Sequence, residues 1–494
     1  MLLLDATAVV CNPADPLGAG MAACLQAGPP GSWFNSGDNA WQLTAATFVG
    51  LMSVPGLAIL YAGLMKRKWA LNSALMVLYA FASTLLVWTL FAYRMGFGTS
   101  WTGLKFPFIG MPEPVTQAAH EIGQANIPLF TGPALHFPTS AMVYFQFVFA
   151  AITVILVAGS VLGRMNFKAW MVFAPVWIAL VYTVNAYALW GGGWLTSFAT
   201  WWPGWTNPSS FGAVDYSGGY VIHVAAGISG TIAAIVVGPR LLKDRQENNP
   251  SNLLMAIAGG GLLWLGWSGF NGGDPYFSNP DAAAAVLNTH IATATAMLVW
   301  MFLDVFTSGK ANVGGMINGM IAGLVGITPG AGWVDGFGAI IIGVVCSAVP
   351  WITMQYLPRI KFFAKIDDTL GVMHTHGFAG ALGGLMVGVI ANPAMIEYYA
   401  SPDGKSFPAA VSVNSIFGSQ DWHQLAAQAI ALAFIILYDG IATFIILKVI
   451  GMFIPLQMSK EHLEVGDEMV HGDVSLDLGT VRPGVEPASV PITH

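Results

Sequence analysis

Charge is scarce in this chain. Asp, Glu, Lys and Arg make up 9% of its 494 residues, against about a quarter in an average soluble domain, and so few charges exclude an ordinary water-facing surface. The 18 Lys and Arg are scattered between apolar runs, so the basic footprint of nucleic-acid binding is missing and nucleic acid is not an expected partner. Cysteine is equally sparse: Cys11, Cys24 and Cys346 are too few for a disulfide framework and match no zinc spacing. Cys346 reads as a packing residue. Cys11 and Cys24 both precede the first apolar run, and whether they form one bridge or stay reduced depends on the side of the membrane they face. The opening MLLLDATAVV has no basic start and does not read as a cleavable signal. Paired carboxylates, nucleophile motifs and metal-ligand clusters are also lacking, which argues against an enzyme and leaves no metal or cofactor to expect.

What the chain has instead is apolar length: 55% of its residues are hydrophobic, with 58 glycines for close helix packing and 18 tryptophans for interfacial anchoring. A membrane-crossing helix needs about 20 mostly apolar residues. Eleven stretches qualify, at 40–63, 70–93, 139–162, 169–190, 219–239, 252–273, 283–306, 312–329, 334–356, 370–392 and 424–455. With the N-terminus outside, fifteen of the 18 cationic residues fall in inner loops and the tail, leaving Arg94, Lys105 and Lys405 outside. The positive-inside rule therefore predicts an N-out, C-in protein of the plasma (inner) membrane. The fold class is all-α integral membrane, divided as an extracytoplasmic segment 1–36, a first half 37–245, an inverted second half 246–395, an outer loop and final span 396–456, and a cytoplasmic tail 457–494. The tail loses the hydrophobic runs and reads as a solvated segment with a regulatory role.

The halves are suggested by an internal repeat. DYSGGYVIHVAAGISG at 215–230 and DTLGVMHTHGFAGALGG at 368–384 share the pattern D-x7-H-x3-G-x2-G, carried by Asp215, His223, Gly227, Gly230 and by Asp368, His376, Gly380, Gly383. The first copy leaves through the basic PRLLKDR and the second is preceded by the basic RIKFFAK, so the two run in opposite directions, as in inverted-repeat transporters with a site near the midplane. The eight residues between aspartate and histidine advance about 12 Å along a helix, taking both histidines toward the bilayer centre.

Ionisable residues inside spans are costly and become functional candidates. His223 and His376 qualify through the repeat, whereas His290 and His374 read as helix-to-helix hydrogen-bond partners. Two imidazoles in contact donate and accept hydrogen bonds, a strip suited to a small neutral molecule or a proton and poor at replacing the hydration of an alkali cation. Asp215 and Asp368 read as structural caps at helix N-termini. Trp264, Trp267, Phe270, Asn271 and Asp274 end the sixth span and Trp190 ends the fourth on the same side. They form either an interface belt or a vestibule attracting a small cation by cation–π and Coulomb terms, and periodicity leaves both open. Asp439 in the final span and the segment 194–214 carry no assigned role.

Taken together, GDNAW at 37–41, VPGLAILYAGLMKRK at 54–68, FQFVFAAIT at 145–153, LWGGGWL at 189–195, the two histidine segments, GWSGFNGGDPY at 266–276 and ITPGAGWV at 327–334 resemble the ammonium transporter, methylammonium permease and Rhesus superfamily over 36–475. The blocks FNGGDPY, VLNTHIATAT and HTHGFAG are most similar to the plant type-two branch and its microbial relatives. The resemblance implies ammonium or ammonia as substrate, a homotrimer in the lipid bilayer with one pore per subunit, and no cofactor. It implies an outer site of Phe149, Trp190 and Asp274, a gate of Phe149 and Phe270, paired pore histidines His223 and His376, Trp267 on the pore wall, and Asp215 as a buried structural or proton-path residue. Asp274 stands where many bacterial relatives have serine, and Gly371 where a second acidic residue is common. The expected route is recruitment of ammonium, deprotonation at the gate and passage of ammonia along the histidines, since a bare cation in an apolar pore is costly. An ammonium sensor or transceptor signalling through the tail, with a cytoplasmic nitrogen-status regulator as partner, is the rival expectation.

Overall fold

The computed structural model describes residues 33–101, 108–117, 121–127, 134–196, 212–247, 249–399 and 409–473. Cys11, Cys24, most of 194–214 and the end of the tail lie outside them.

Eleven helices among the described residues are long and apolar enough to cross a membrane: α1 (Ser36–Leu64), α2 (Arg67–Phe97), α3 (Thr139–Gly159), α4 (Phe167–Thr196), α5 (Gly219–Val237), α6 (Leu253–Gly272), α7 (Pro280–Ser308), α8 (Val313–Gly330), α9 (Gly336–Arg359), α10 (Met373–Ile390) and α11 (His423–Gly451). Each corresponds to one apolar stretch of the sequence. Their starts follow local chemistry: Asn35, Asn252, Asn279, Asn312 and Asp335 accept from the first free backbone N–H groups of α1, α6, α7, α8 and α9, each such cap contributing about 1 kcal/mol. Two short hairpins, β1 (Gln124–Asn126) with β2 (Ala134–Pro138) and β3 (Glu397–Tyr399) with β4 (Ala409–Val411), are antiparallel additions between spans.

Burial divides the helices into an inner and an outer set. The α3 helix is enclosed along nearly its whole length. Large apolar side chains on other helices face outward, with Leu254 77%, Phe306 82% and Phe337 80% exposed. In water such a surface would drive aggregation, whereas lipid tails solvate it. Both α5 and α10 pack against α11 and against each other, while α1 packs on α6.

Ion pairs fasten the basic end. Asp244 bonds Lys66 and Lys68, each at 3.0 Å, and Arg240 clasps Asp367 with Nη2 at 2.7 Å and Nε at 3.0 Å. Burial would raise both carboxyls, but the cationic partners outweigh it and hold them below the usual carboxylate range. Beyond α11, the short helices α12 (Lys460–Val465) and α13 (Asp467–His471) fold back onto this end. Asp467 accepts from the backbone N–H groups of Leu71 at 2.8 Å and Asn72 at 2.9 Å, capping α2 from a distant part of the chain. Burial pushes its carboxyl up to about 6 despite those donors.

Candidate functional site

The two repeat copies start in the same unusual way. Gly218, with φ +105°, and Gly371, with φ +73°, each stand five residues before a histidine in a left-handed conformation that strains other residues. Any residue with a side chain at 371 would have to adopt that strained backbone. Each copy then makes one wide turn with i to i+5 bonding, Gly219–Val224 and Met373–Phe378, before regular helix resumes. Such turns widen a helix and often mark functional sites. Both histidines lie in them.

The aspartates hold these turns in place. Asp215 Oδ2 accepts from the N–H groups of Tyr220 and Val221, both at 2.9 Å, and Asp368 Oδ2 accepts from Met373 N at 2.8 Å. Trp190 donates its indole N–H to the Asp215 carbonyl at 2.7 Å, tying the end of α4 to the head of α5. The glycines four residues after each histidine then bring the helices together. A Cβ on Gly227 would lie 2.4 Å from Gly377 Cα, and one on Gly380 would lie 2.7 Å from the Gly219 carbonyl oxygen and 3.1 Å from His223 Cβ. Only hydrogen fits at these two positions.

At that crossing His376 Nδ1 and His223 Nδ1 lie 3.2 Å apart. One ring must donate and the other accept, so the pair shares a single proton between these atoms. His223 is fully buried and His376 is 5% exposed. Aromatic rings continue from His223 toward the opposite end: Trp267 at 5.3 Å and Phe270 at 5.9 Å between centroids, both stacked, then Phe149 at 4.3 Å from Phe270. Phe145, one turn before Phe149, adds a further ring at 4.6 Å. The Trp267 indole is fixed by a 2.9 Å bond to Thr328 Oγ1. On the other side of His376 a cavity of about 30 Å³ is lined by Leu57, Leu60, Tyr61, Trp267 and Ile321, with room for about one molecule of water's size. The sequence expectations for His223, His376, Trp267, Phe149 and Phe270 thus fall on one continuous arrangement. Trp190 and Asp274 are 5% and 8% exposed.

Other candidates find structural partners. His290 on α7 accepts from the Trp264 indole at 2.9 Å and pairs with Ser268 Oγ at 3.1 Å, both on α6; His374 pairs with Thr353 of α9 at 2.9 Å. Both are helix-to-helix contacts, as expected. Asp439, for which the sequence offered no partner, receives the Asn185 amide at 2.9 Å on each carboxylate oxygen. Thr328 and Phe145 were not singled out from the sequence. Phe145 was discoverable as the i−4 neighbour of Phe149, but nothing local marks Thr328. Among the described residues no group of three or more His, Cys, Asp and Glu is placed to hold a metal ion.

A multi-pass bundle with two antiparallel helices meeting at a buried polar pair, flanked by an aromatic stack and a molecule-sized apolar cavity, defines a channel-like membrane transport protein. The family model described as the Ammonium Transporter Family matches residues 40–475, and the chain belongs to that family. It is 49% identical over 442 residues to ammonium transporter 2 of Arabidopsis thaliana, covering 89% of this chain and 88% of the relative. It is 46% identical to ammonium transporter 3 member 3 of Oryza sativa subsp. japonica, with 89% of each chain covered. Among solved structures it is similar to Mep2 of Saccharomyces cerevisiae, with TM-score 0.71 and 26% identity over 87% of this chain and 89% of that one. A protein titled a sensor Amt protein shares the fold at TM-score 0.70 and 23% identity, over 88% of this chain and 98% of that one.

Proposed function

We propose that the chain conducts ammonium nitrogen by taking up the cation, shedding its proton and passing ammonia along the histidine pair. Trp190, Phe149 and Asp274 receive ammonium from the outside, where the aromatic faces and the carboxylate favour a small cation. The stacked Phe149 and Phe270 close the way beyond. A hydrated ion does not fit there and a bare one loses many kcal/mol of hydration, so ammonium gives its proton to water on the outer side, at the gate, and only ammonia goes on. Ammonia, a neutral donor and acceptor, then exchanges hydrogen bonds with His223 and His376 beside Trp267, while Asp215 holds the first histidine turn.

The observation that carries this reading is the 3.2 Å contact between two imidazoles beside an apolar cavity. Alkali ions find no ring of oxygen ligands there, whereas ammonia finds hydrogen-bond partners. The cationic bias of the loops supports an N-out orientation in the plasma membrane. The outward apolar side chains support a lipid-embedded protein; a homotrimer with one pore in each subunit is part of the same proposal.

A second reading, an ammonium sensor or transceptor, is favoured by one feature: α12 and α13 cap α2 through Asp467, which couples the tail to a spanning helix. A regulator of nitrogen status on the cytoplasmic side would act through this tail. Flux of ammonium into proteoliposomes containing the purified protein separates the readings. Saturable uptake far above protein-free vesicles is expected; binding without uptake would favour the sensor.

A further inference from the structure

Building on that transport reading, we infer that the chamber at the basic end of α10 is a second ammonium site, formed by Asp368, His374 and Asn318, where the substrate leaves the pore. The chamber has a volume of about 490 Å³ and shares Leu64, Asn318 and Leu370 with the small cavity beside His376, so the two adjoin.

Among the described residues the one carboxylate in its lining is Asp368, and no Lys or Arg lines it. Asp368 spends Oδ2 on the Met373 N–H, and its Oδ1 is buried without a hydrogen-bond partner. His374 is 5% exposed. Its Nδ1 lies 2.9 Å from Thr353 Oγ1, and Thr353 gives its own hydroxyl proton to the Pro350 carbonyl at 3.0 Å. Thr353 is therefore the acceptor and His374 Nδ1 the donor, which leaves Nε2 of the neutral ring as a lone-pair acceptor. That Nε2 has no partner among the described residues. Asn318 directs one amide N–H toward Met354 Sδ at 3.5 Å, leaving its carbonyl oxygen and a second N–H. The nearby Arg164 directs its guanidinium to Gly238 O, Asp367 O and Thr369 Oγ1 and not to Asp368.

Two acceptors, one of them a carboxylate oxygen, with an amide carbonyl beside them suit a cation that carries its own N–H groups. Ammonium presents four of them tetrahedrally. A bare metal cation of the same charge would gain three ligands at most, one of them nitrogen, and a neutral molecule would gain nothing from the charge of the Asp368 carboxylate. The site is the counterpart, at the opposite end of the pore, of the recruitment site proposed at Trp190. For substrate moving inward it is the place where ammonium is held after ammonia takes a proton from water, the hydroxide passing to the solvent at the open end of the chamber; for substrate moving outward it is the entry site.

The test uses the full chain in proteoliposomes sorted by the accessibility of a C-terminal tag, with radiolabelled methylammonium supplied to one face at a time. Asp368→Asn keeps a cap acceptor for Met373 but removes the charge, and His374→Ala removes Nε2. Each is expected to raise the half-saturating concentration from the basic face by about tenfold, the loss of one charge-assisted hydrogen bond, while that from the opposite face stays within about twofold. His374→Gln, which restores an acceptor, recovers most of the loss and carries the test if Asp368→Asn does not fold. Equal shifts from both faces, or none from either, would overturn the inference. A one-sided shift would survive even if the histidine pair proved irrelevant to selectivity, so the two readings fail separately.

Discussion

The two histidine helices are built to one plan and finished differently. Each begins with an aspartate, a left-handed glycine and a wide turn carrying the histidine, and each uses a later glycine to lie against the other. The first copy is sealed: Asp215 is 4% exposed, roofed by Trp190, and the preceding Val214 is pinned through both its N–H and its carbonyl by Gln428 at 2.8 Å. The second copy opens on the chamber of Asp368 and His374, and its preceding residue, Asp367, is anchored by Arg240. The repeat thus fixes how the helices cross, while the residues around each head decide what reaches them. Neutral anchoring on one side and ionic anchoring on the other also give the copies different responses to pH.

The crossing tolerates least. Gly227→Leu puts carbon where Gly377 already stands, and loss of the monodisperse protein on size-exclusion chromatography is the expected outcome. Gly377→Ala meets its nearest neighbour at 3.5 Å, an ordinary contact, and should shift the melting temperature by only a few degrees. A folded Gly227→Leu protein would break the symmetry argument at its root.

The anchors come next. Asp367→Asn leaves Arg240 without its partner and should cost about 3 kcal/mol, read as a lower denaturation midpoint. Because the carboxyl of Asp367 is held below its unfolded value, its contribution is complete above about pH 4 and is lost as pH falls through the lowered native value. Between pH 5 and 8 it gives no slope. Gln428→Leu should destabilise by about 1–3 kcal/mol through unpaired backbone groups with no change of slope at any pH. A slope for the Gln428 variant, or acid stability unchanged in Asp367→Asn relative to the parent, would contradict the contrast.

The caps should differ least. Asp215→Ala loses two amide bonds and Asp368→Ala loses one, so thermal denaturation in detergent should place the first about 2 kcal/mol and the second about 1 kcal/mol below the parent. Equal losses would mean that the second turn has support beyond Met373 N.

Much of this architecture is legible along the chain because a bilayer imposes a length. Each run of apolar residues became a helix, and even the glycine-rich 312–329 lies within one residue of α8. The last span ends four residues sooner than its apolar run, at Gly451, since hydropathy does not register where a helix turns. The histidine pair was legible because the same pattern occurs twice with reversed basic flanks. Partners brought together only by packing were not. Asn185 and Asp439 lie on the fourth and last spans, and Asp467 caps a helix that begins nearly four hundred residues earlier; no periodicity links such positions. The role of Gly371 became clear only once its backbone angle could be compared with that of Gly218.

The central claim is that neutral ammonia passes two touching imidazoles. Current and radiotracer uptake measured together in proteoliposomes, for the parent and for His223→Ala, test it most directly. The account predicts that the variant loses discrimination against potassium or loses uptake altogether. Unchanged ammonium uptake with unchanged ion selectivity would contradict it.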